Sequence, residues 1–144
     1  MKRRILAVLL DFGDTLADED TERRDASGFA YDVDLLHGAR ELLIALQQRG
    51  YRVALVADGR VDDSAVLRAR HELDSLIDAV VISEEVGAAK PSRRPFDVAL
   101  HRLGIPAAEA GRVVMVGNRL ERDVHGANDR GMVSVWIDWS ARYR

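Results

Sequence analysis

Residues 5–10 form an uninterrupted apolar run that stops at an acidic, glycine-containing stretch, the pattern of a strand covered on both faces of a parallel sheet. Comparable runs recur at Arg52–Ala57, Ala79–Ile82, Val113–Gly117 and residues 133–137, which predicts five strands. Between them the pattern turns helical. Ala39, Leu42, Leu43 and Leu46 stand at i, i+3, i+4 and i+7, and Gly50 follows where a left-handed cap closes a helix. Phe96, Ala99, Leu100 and Leu103 repeat that spacing, with Ser92 as candidate N-cap and Gly104 past the end. Weaker helical patterns over residues 62–73 and 121–130 complete a strand–helix alternation. It predicts an α/β protein with a Rossmann-like, doubly wound sheet of about five parallel strands and helices on both faces. No repeat or linker interrupts residues 1–144, so a single domain is expected.

One segment breaks the alternation. Residues 17–34 are acidic and poor in apolar side chains, and read as a loop or short helical excursion emerging beside Asp11. At about eighteen residues the segment is too short for an independent cap domain, but it can serve as a flap over the crevice.

Composition narrows the function classes. With 144 residues, 47% hydrophobic and 31% charged, the chain is long enough to bury one ordinary core. A formal net charge of -3, mixed in sign along the chain, lacks the basic footprint of nucleic-acid binding, so DNA or RNA is not an expected partner. The absence of cysteine excludes thiol catalysis, disulfides and thiolate metal sites, and suits the reducing cytoplasm. Met1-Lys2-Arg3-Arg4 followed by an apolar run has the look of an export signal, but the run ends at Asp11 after six residues. No stretch approaches the roughly 20 apolar residues that cross a bilayer, so no membrane association is expected.

In open α/β sheets the ligand crevice lies beyond the carboxyl ends of the strands. The polar residues of interest map there: Asp11 and Asp14 after the first strand, Asp58 after the second, Lys90 a short loop after the third, and Asn118 and Asp123 after the fourth. Carboxylates, one lysine and helix N-terminal amides can together hold Mg²⁺ and a phosphoryl group. Any one of these residues could equally be a turn former or helix cap. The ordered set is what favours chemistry.

Leu10-Asp11-Phe12-Gly13-Asp14-Thr15-Leu16 resembles the first motif of the haloacid dehalogenase-like (HAD) superfamily, in which an aspartate after the first strand is the nucleophile. The segment from Tyr51 to Ala57-Asp58-Gly59 resembles the second motif, and Gly87-Ala88-Ala89-Lys90-Pro91 the third. Val113 to Gly117-Asn118 and on to Asp123, with Gly126-Ala127-Asn128 beyond, resembles the fourth. The resemblance covers nearly the whole chain and implies the HAD-like fold. It implies Asp11 as the nucleophile that forms an aspartyl-phosphate, with Lys90 and Thr15 as its charge and hydrogen-bond scaffold. Ala57, Asp58, Gly59 and Lys90 fall at the substrate phosphoryl. The implied cofactor is Mg²⁺, held by Asp11, the Gly13 carbonyl, Asn118 and, through water, Asp123.

Three positions depart from the family pattern. Gly13 replaces the aspartate that protonates the leaving alcohol, so Asp14, one residue on, is the candidate substitute. Ala57 replaces a serine or threonine that binds a phosphoryl oxygen. Asn118 replaces an aspartate, which removes a charge from the metal site. The expected function is a Mg²⁺-dependent phosphomonoester hydrolase whose phosphorylated substrate is large or enclosed by a neighbouring subunit, the latter in a homo-oligomer. The alternative is a catalytically degenerate member that binds a phosphorylated ligand or a protein partner. Haloacid dehalogenation and a phospho-accepting receiver domain fit less well, the first for want of a cap and the second for want of the motifs. His37, His71, His101 and His125 have no metal-ligand spacing, and Trp136 and Trp139 are expected only to pack.

Overall fold

A computed structural model describes residues 4–139. Strand β1 (Ala7–Leu10) alternates its side chains between two cores, as a strand buried on both faces must. Ala7 and Leu9 face one cluster with Val56, Val81, Phe96, Leu100 and Met115, whereas Val8 and Leu10 face another with Leu43, Val53, Leu55 and Leu73. That is why the run shows no polar alternation.

The other strands and α-helices are β2 (Ala17–Arg24), β3 (Ala30–Leu35), α1 (Ala39–Gln48), β4 (Arg52–Ala57), α2 (Val61–Arg70), β5 (Ala79–Ile82), α3 (Ser83–Val86), α4 (Arg93–Arg102), β6 (Val113–Gly117), α5 (His125–Asp129) and β7 (Val133–Trp136). Five strands form one parallel sheet in the order β5-β4-β1-β6-β7. The expected doubly wound α/β sheet is present. Winding moves outward from β1 to β4 and β5, then returns to the other side of β1 at β6, so the reversal falls at the carboxyl end of β1. Gly50 and Gly104 take left-handed backbone angles beyond α1 and α4, and Ser92 caps α4 by accepting the Arg94 N–H.

One expectation is corrected and two are refined in detail. Residues 17–34 are neither loop nor helix: β2 and β3 pair as an antiparallel hairpin. Its turn is built by Asp25, whose Oδ1 accepts the Ser27 and Phe29 N–H groups at 2.9 and 3.0 Å. The helical pattern over 121–130 is realised as a π-helical turn, Leu120–Val124, running into the short α5. The last apolar run is an edge strand, with Val133 and Val135 half exposed rather than buried.

Candidate active site

The chain leaves β1 at Asp11 and turns sharply, with the N–H groups of Thr15, Leu16 and Ala17 all directed to the Phe12 carbonyl at 2.8 to 3.2 Å. This turn leads directly into β2. The hairpin, α2 and the loops after β4 and β6 then enclose a crevice of about 190 Å³ at the winding reversal. Asp11, Gly13, Ala57, Asp58, Gly59, Lys90, Asn118 and Asp123 all line it. Residues far apart in sequence are thus brought to one place by the strand order alone.

Lys90 organises the floor. The residue is 3% exposed, and its ammonium donates to Asp11 Oδ1 at 3.1 Å, Asp123 Oδ1 at 2.6 Å and the Val56 carbonyl at 2.6 Å. Burial works against the charge on Lys90, but the adjacent carboxylates of Asp11 and Asp123 outweigh it and raise its pKa. Burial pushes the Asp11 carboxyl up to about 6; Lys90 opposes the rise and Asp123 adds to it. Asp58 holds the lysine's backbone, its Oδ1 accepting the Lys90 N–H at 3.0 Å while Oδ2 lies 3.5 Å from Arg122. The Gly59 N–H is directed to the Ser83 hydroxyl.

Asp123 is 1% exposed and spends its second oxygen on the Arg119 N–H at 3.1 Å. Its side chain lies against the Cα of Gly117, where any Cβ would overlap the carboxylate. Gly117 is therefore a requirement of close approach.

The other oxygen of Asp11 lies beside the Asn118 amide, which also reaches the Gly13 carbonyl. With its amide nitrogen inward, Asn118 donates to Asp11 Oδ2 and to the Gly13 carbonyl, both at 3.2 Å. Turned over, the amide oxygen would join those two acceptors, so that three hard oxygens face one point, a set that suits Mg²⁺. Among the described residues no three His, Cys, Asp or Glu side chains gather to hold a metal, so a carboxylate, a carbonyl and an amide are the available donors.

The HAD-like family model matches residues 7–131, which include all of these positions. The chain belongs to the haloacid dehalogenase-like hydrolases. It is 37% identical over 102 residues to the glyceraldehyde 3-phosphate phosphatase of Pyrococcus abyssi, a stretch covering 71% of this chain and 42% of that protein. It is 36% identical over 103 residues to the pyrimidine 5'-nucleotidase YjjG of Escherichia coli, and 35% over 112 residues to the ribulose-1,5-bisphosphate 5-phosphatase of Halopiger xanaduensis. These matches cover 72% and 78% of this chain, and the matched part is less than half the length of each relative, 44% and 46%. Among solved structures, a HAD phosphatase from Thermococcus onnurineus superposes with a TM-score of 0.81 at 20% identity, over 95% of this chain and 88% of that one.

Within this HAD-like site two expected residues sit elsewhere. Asp14 is fully buried with a left-handed backbone, and its Oδ1 accepts the Glu19 N–H at 3.1 Å. It does not line the crevice, because the turn points it beneath the hairpin, so it is not placed to replace the missing acid. Thr15 is likewise buried behind the turn. Sequence reasoning also missed three contributors. Trp136 and Trp139 are 40% and 44% exposed, yet their indole N–H groups hold the carbonyls of Asn118 and Asp14 at 3.1 and 2.6 Å. They brace the two site loops as well as packing. The third is Glu19, which lines the crevice beside Gly13 from the hairpin. No spacing signal marks it, because the hairpin itself was not legible.

Proposed function

We propose that this chain hydrolyses phosphate monoesters with Mg²⁺, through an aspartyl-phosphate at Asp11. The observation that carries the reading is the convergence at the end of β1: one Asp11 oxygen is held by Lys90, and the other faces the Gly13 carbonyl and the Asn118 amide. Such a carboxylate is fixed in place yet still able to act as a nucleophile. Asp11, the Gly13 carbonyl and Asn118 would hold Mg²⁺, with Asp123 acting through water. Bound there, the ion would neutralise charge on the phosphoryl group.

The chain's own groups then account for the chemistry. Asp11 attacks phosphorus and the ester P–O bond breaks, releasing the alcohol. Water later cleaves the acyl phosphate and restores the carboxylate. Lys90 keeps Asp11 oriented and offsets charge on the oxygens around it. Ala57 supplies no hydroxyl, and loss of a comparable donor slows other enzymes by about 10²–10³-fold, so modest turnover is expected. The absence of cysteine is in keeping with a cytoplasmic setting.

The test is a panel of phosphate monoesters with and without Mg²⁺, comparing wild type with Asp11→Asn. Glyceraldehyde 3-phosphate, a pyrimidine 5'-nucleotide and ribulose-1,5-bisphosphate belong in it, because relatives are named for them. Metal-dependent turnover abolished in Asp11→Asn is the expected result. Equal background rates would favour the second reading, a degenerate binder of phosphorylated ligands or protein partners, for which Gly13 and Ala57 speak.

A further inference from the structure

Gly13 leaves a gap where an acid/base carboxyl would stand, and that gap is filled. A Cβ built on Gly13 would overlap Oε1 of Glu19 and lie 2.7 Å from its Cδ and 2.8 Å from its Cγ. The Glu19 carboxyl group therefore occupies the volume that an aspartate side chain at position 13 would take. We propose that Glu19, reaching in from the hairpin, is the acid/base residue of this site.

The local backbone places it there. The Gly13 and Ala17 backbones form a bridge, the Asp14 N–H is directed to the Ala17 carbonyl at 2.6 Å, and Asp14 Oδ1 accepts the Glu19 N–H. These contacts clamp the first residues of β2 along the Gly13 turn. Ala17 and Glu19, two apart on a strand, consequently share the side that faces the crevice. Asp14 is thus a positioning residue for Glu19. Absence of a side chain at position 13 is itself a requirement: any Cβ there would push the glutamate away. Glu19 is also exposed to solvent, so it can recover or release a proton to water between steps.

The proposal rests on the phosphohydrolase reading and adds its proton transfers. As an Asp11 oxygen bonds to phosphorus, the ester P–O electron pair goes to the leaving oxygen and the Glu19 carboxyl gives that oxygen its proton. The Glu19 carboxylate then takes a proton from the water that attacks phosphorus, and the P–O bond to Asp11 breaks. The net change is ester plus water to alcohol plus phosphate, with Glu19 protonated again.

The experiment compares wild type, Asp11→Asn, Glu19→Gln and the exchange variant Gly13→Asp/Glu19→Ala, each on an alkyl phosphate and on an aryl phosphate whose phenolate leaves without a proton. If Glu19 acts as proposed, Glu19→Gln loses about 10²–10⁴-fold in kcat/KM on the alkyl ester but far less on the aryl ester. The exchange variant recovers much of the loss. A merely structural glutamate would lower both esters alike and gain nothing from the Gly13→Asp change. Equal losses on both esters, or none, with turnover still dependent on Asp11, overturn the role of Glu19 and leave the hydrolase reading standing. Turnover indifferent to Asp11 overturns both.

Discussion

Lys90 is the residue on which the floor of the site depends. Its ammonium stands between two carboxylates, Asp11 and Asp123, and its side chain is almost fully buried. A buried charge is tolerable only when paired, and removing one partner typically costs about 3–5 kcal/mol because the other is left uncompensated. Lys90→Met is therefore expected to lower stability by about that amount, measured as a shift of the urea midpoint in the metal-free protein. Lys90→Met/Asp123→Leu removes one of the two stranded carboxylates as well and should recover part of the loss. If Lys90→Met were as stable as wild type, the ammonium would not be what allows the two carboxylates to lie so close. The same residue shows what a sequence can and cannot convey. Lys90 and Asp11 are legible because each sits in a patterned motif at a strand end. That the two touch at 3.1 Å, and that Asp58 serves the lysine's backbone, follows only from the order of the strands.

At the scale of elements, the hairpin is where sequence reasoning fails, for a physical reason. Strands usually announce themselves through apolar alternation, but β2 and β3 bury little beyond Ala17, Ala30 and Val33, which pack with Leu67 of α2. Polar contacts hold them instead: Arg23 with Asp32 across the pair, Asp32 with Arg70 of α2, and the Asp34 N–H to the Thr21 hydroxyl. The five sheet strands are legible as continuous apolar runs, and the helices α1 and α4 as apolar faces that repeat with a fixed period. The clasp between hairpin and α2 is Asp63, which accepts the Ala30 N–H at 3.0 Å and pairs with Arg60 at 2.9 Å and Arg24 at 3.3 Å. Burial raises its pKa, but those hydrogen bonds and charges outweigh burial and hold it below the ordinary 3.8. A carboxyl lowered on folding adds stability that is complete above its unfolded value and is lost as pH falls through the folded one. The hairpin should accordingly loosen below about pH 4 ahead of the sheet. Hydrogen exchange at Ala30 is the readout: its protection, measured against the intrinsic exchange rate at each pH, should fall in acid in wild type and be low already at neutral pH in Asp63→Asn, with the protection of the β1 amides unaffected. Uniform exchange across both regions would mean that hairpin and sheet open as one unit.

For the whole molecule, a single topological fact produces the site: β1 is central, and the winding reverses beside it, so four separated motifs meet at one strand end. Strand order also decides what reaches the crevice from outside. The hairpin turns back at Asp25–Gly28 with no inserted domain, and β5 passes through the four-residue α3 to Lys90, so among the described residues the hairpin, α2 and the loops after β4 and β6 surround the nucleophile. A space of about 190 Å³ admits a phosphoryl group and the first atoms attached to it, and the rest of a larger ester must extend past the rim, where Arg24, Arg119 and Arg122 line the opening. Enclosed pockets discriminate sharply by size, with single methylenes changing rates by about 10–200-fold. An open rim does not. Across alkyl phosphates of matched leaving-group acidity, from a short-chain ester to a phosphoserine peptide, kcat/KM should therefore vary by less than about tenfold. A steep fall with size would instead mean that the crevice is covered in solution, and analytical ultracentrifugation of the same sample would then distinguish closure by a second copy from closure by the hairpin itself.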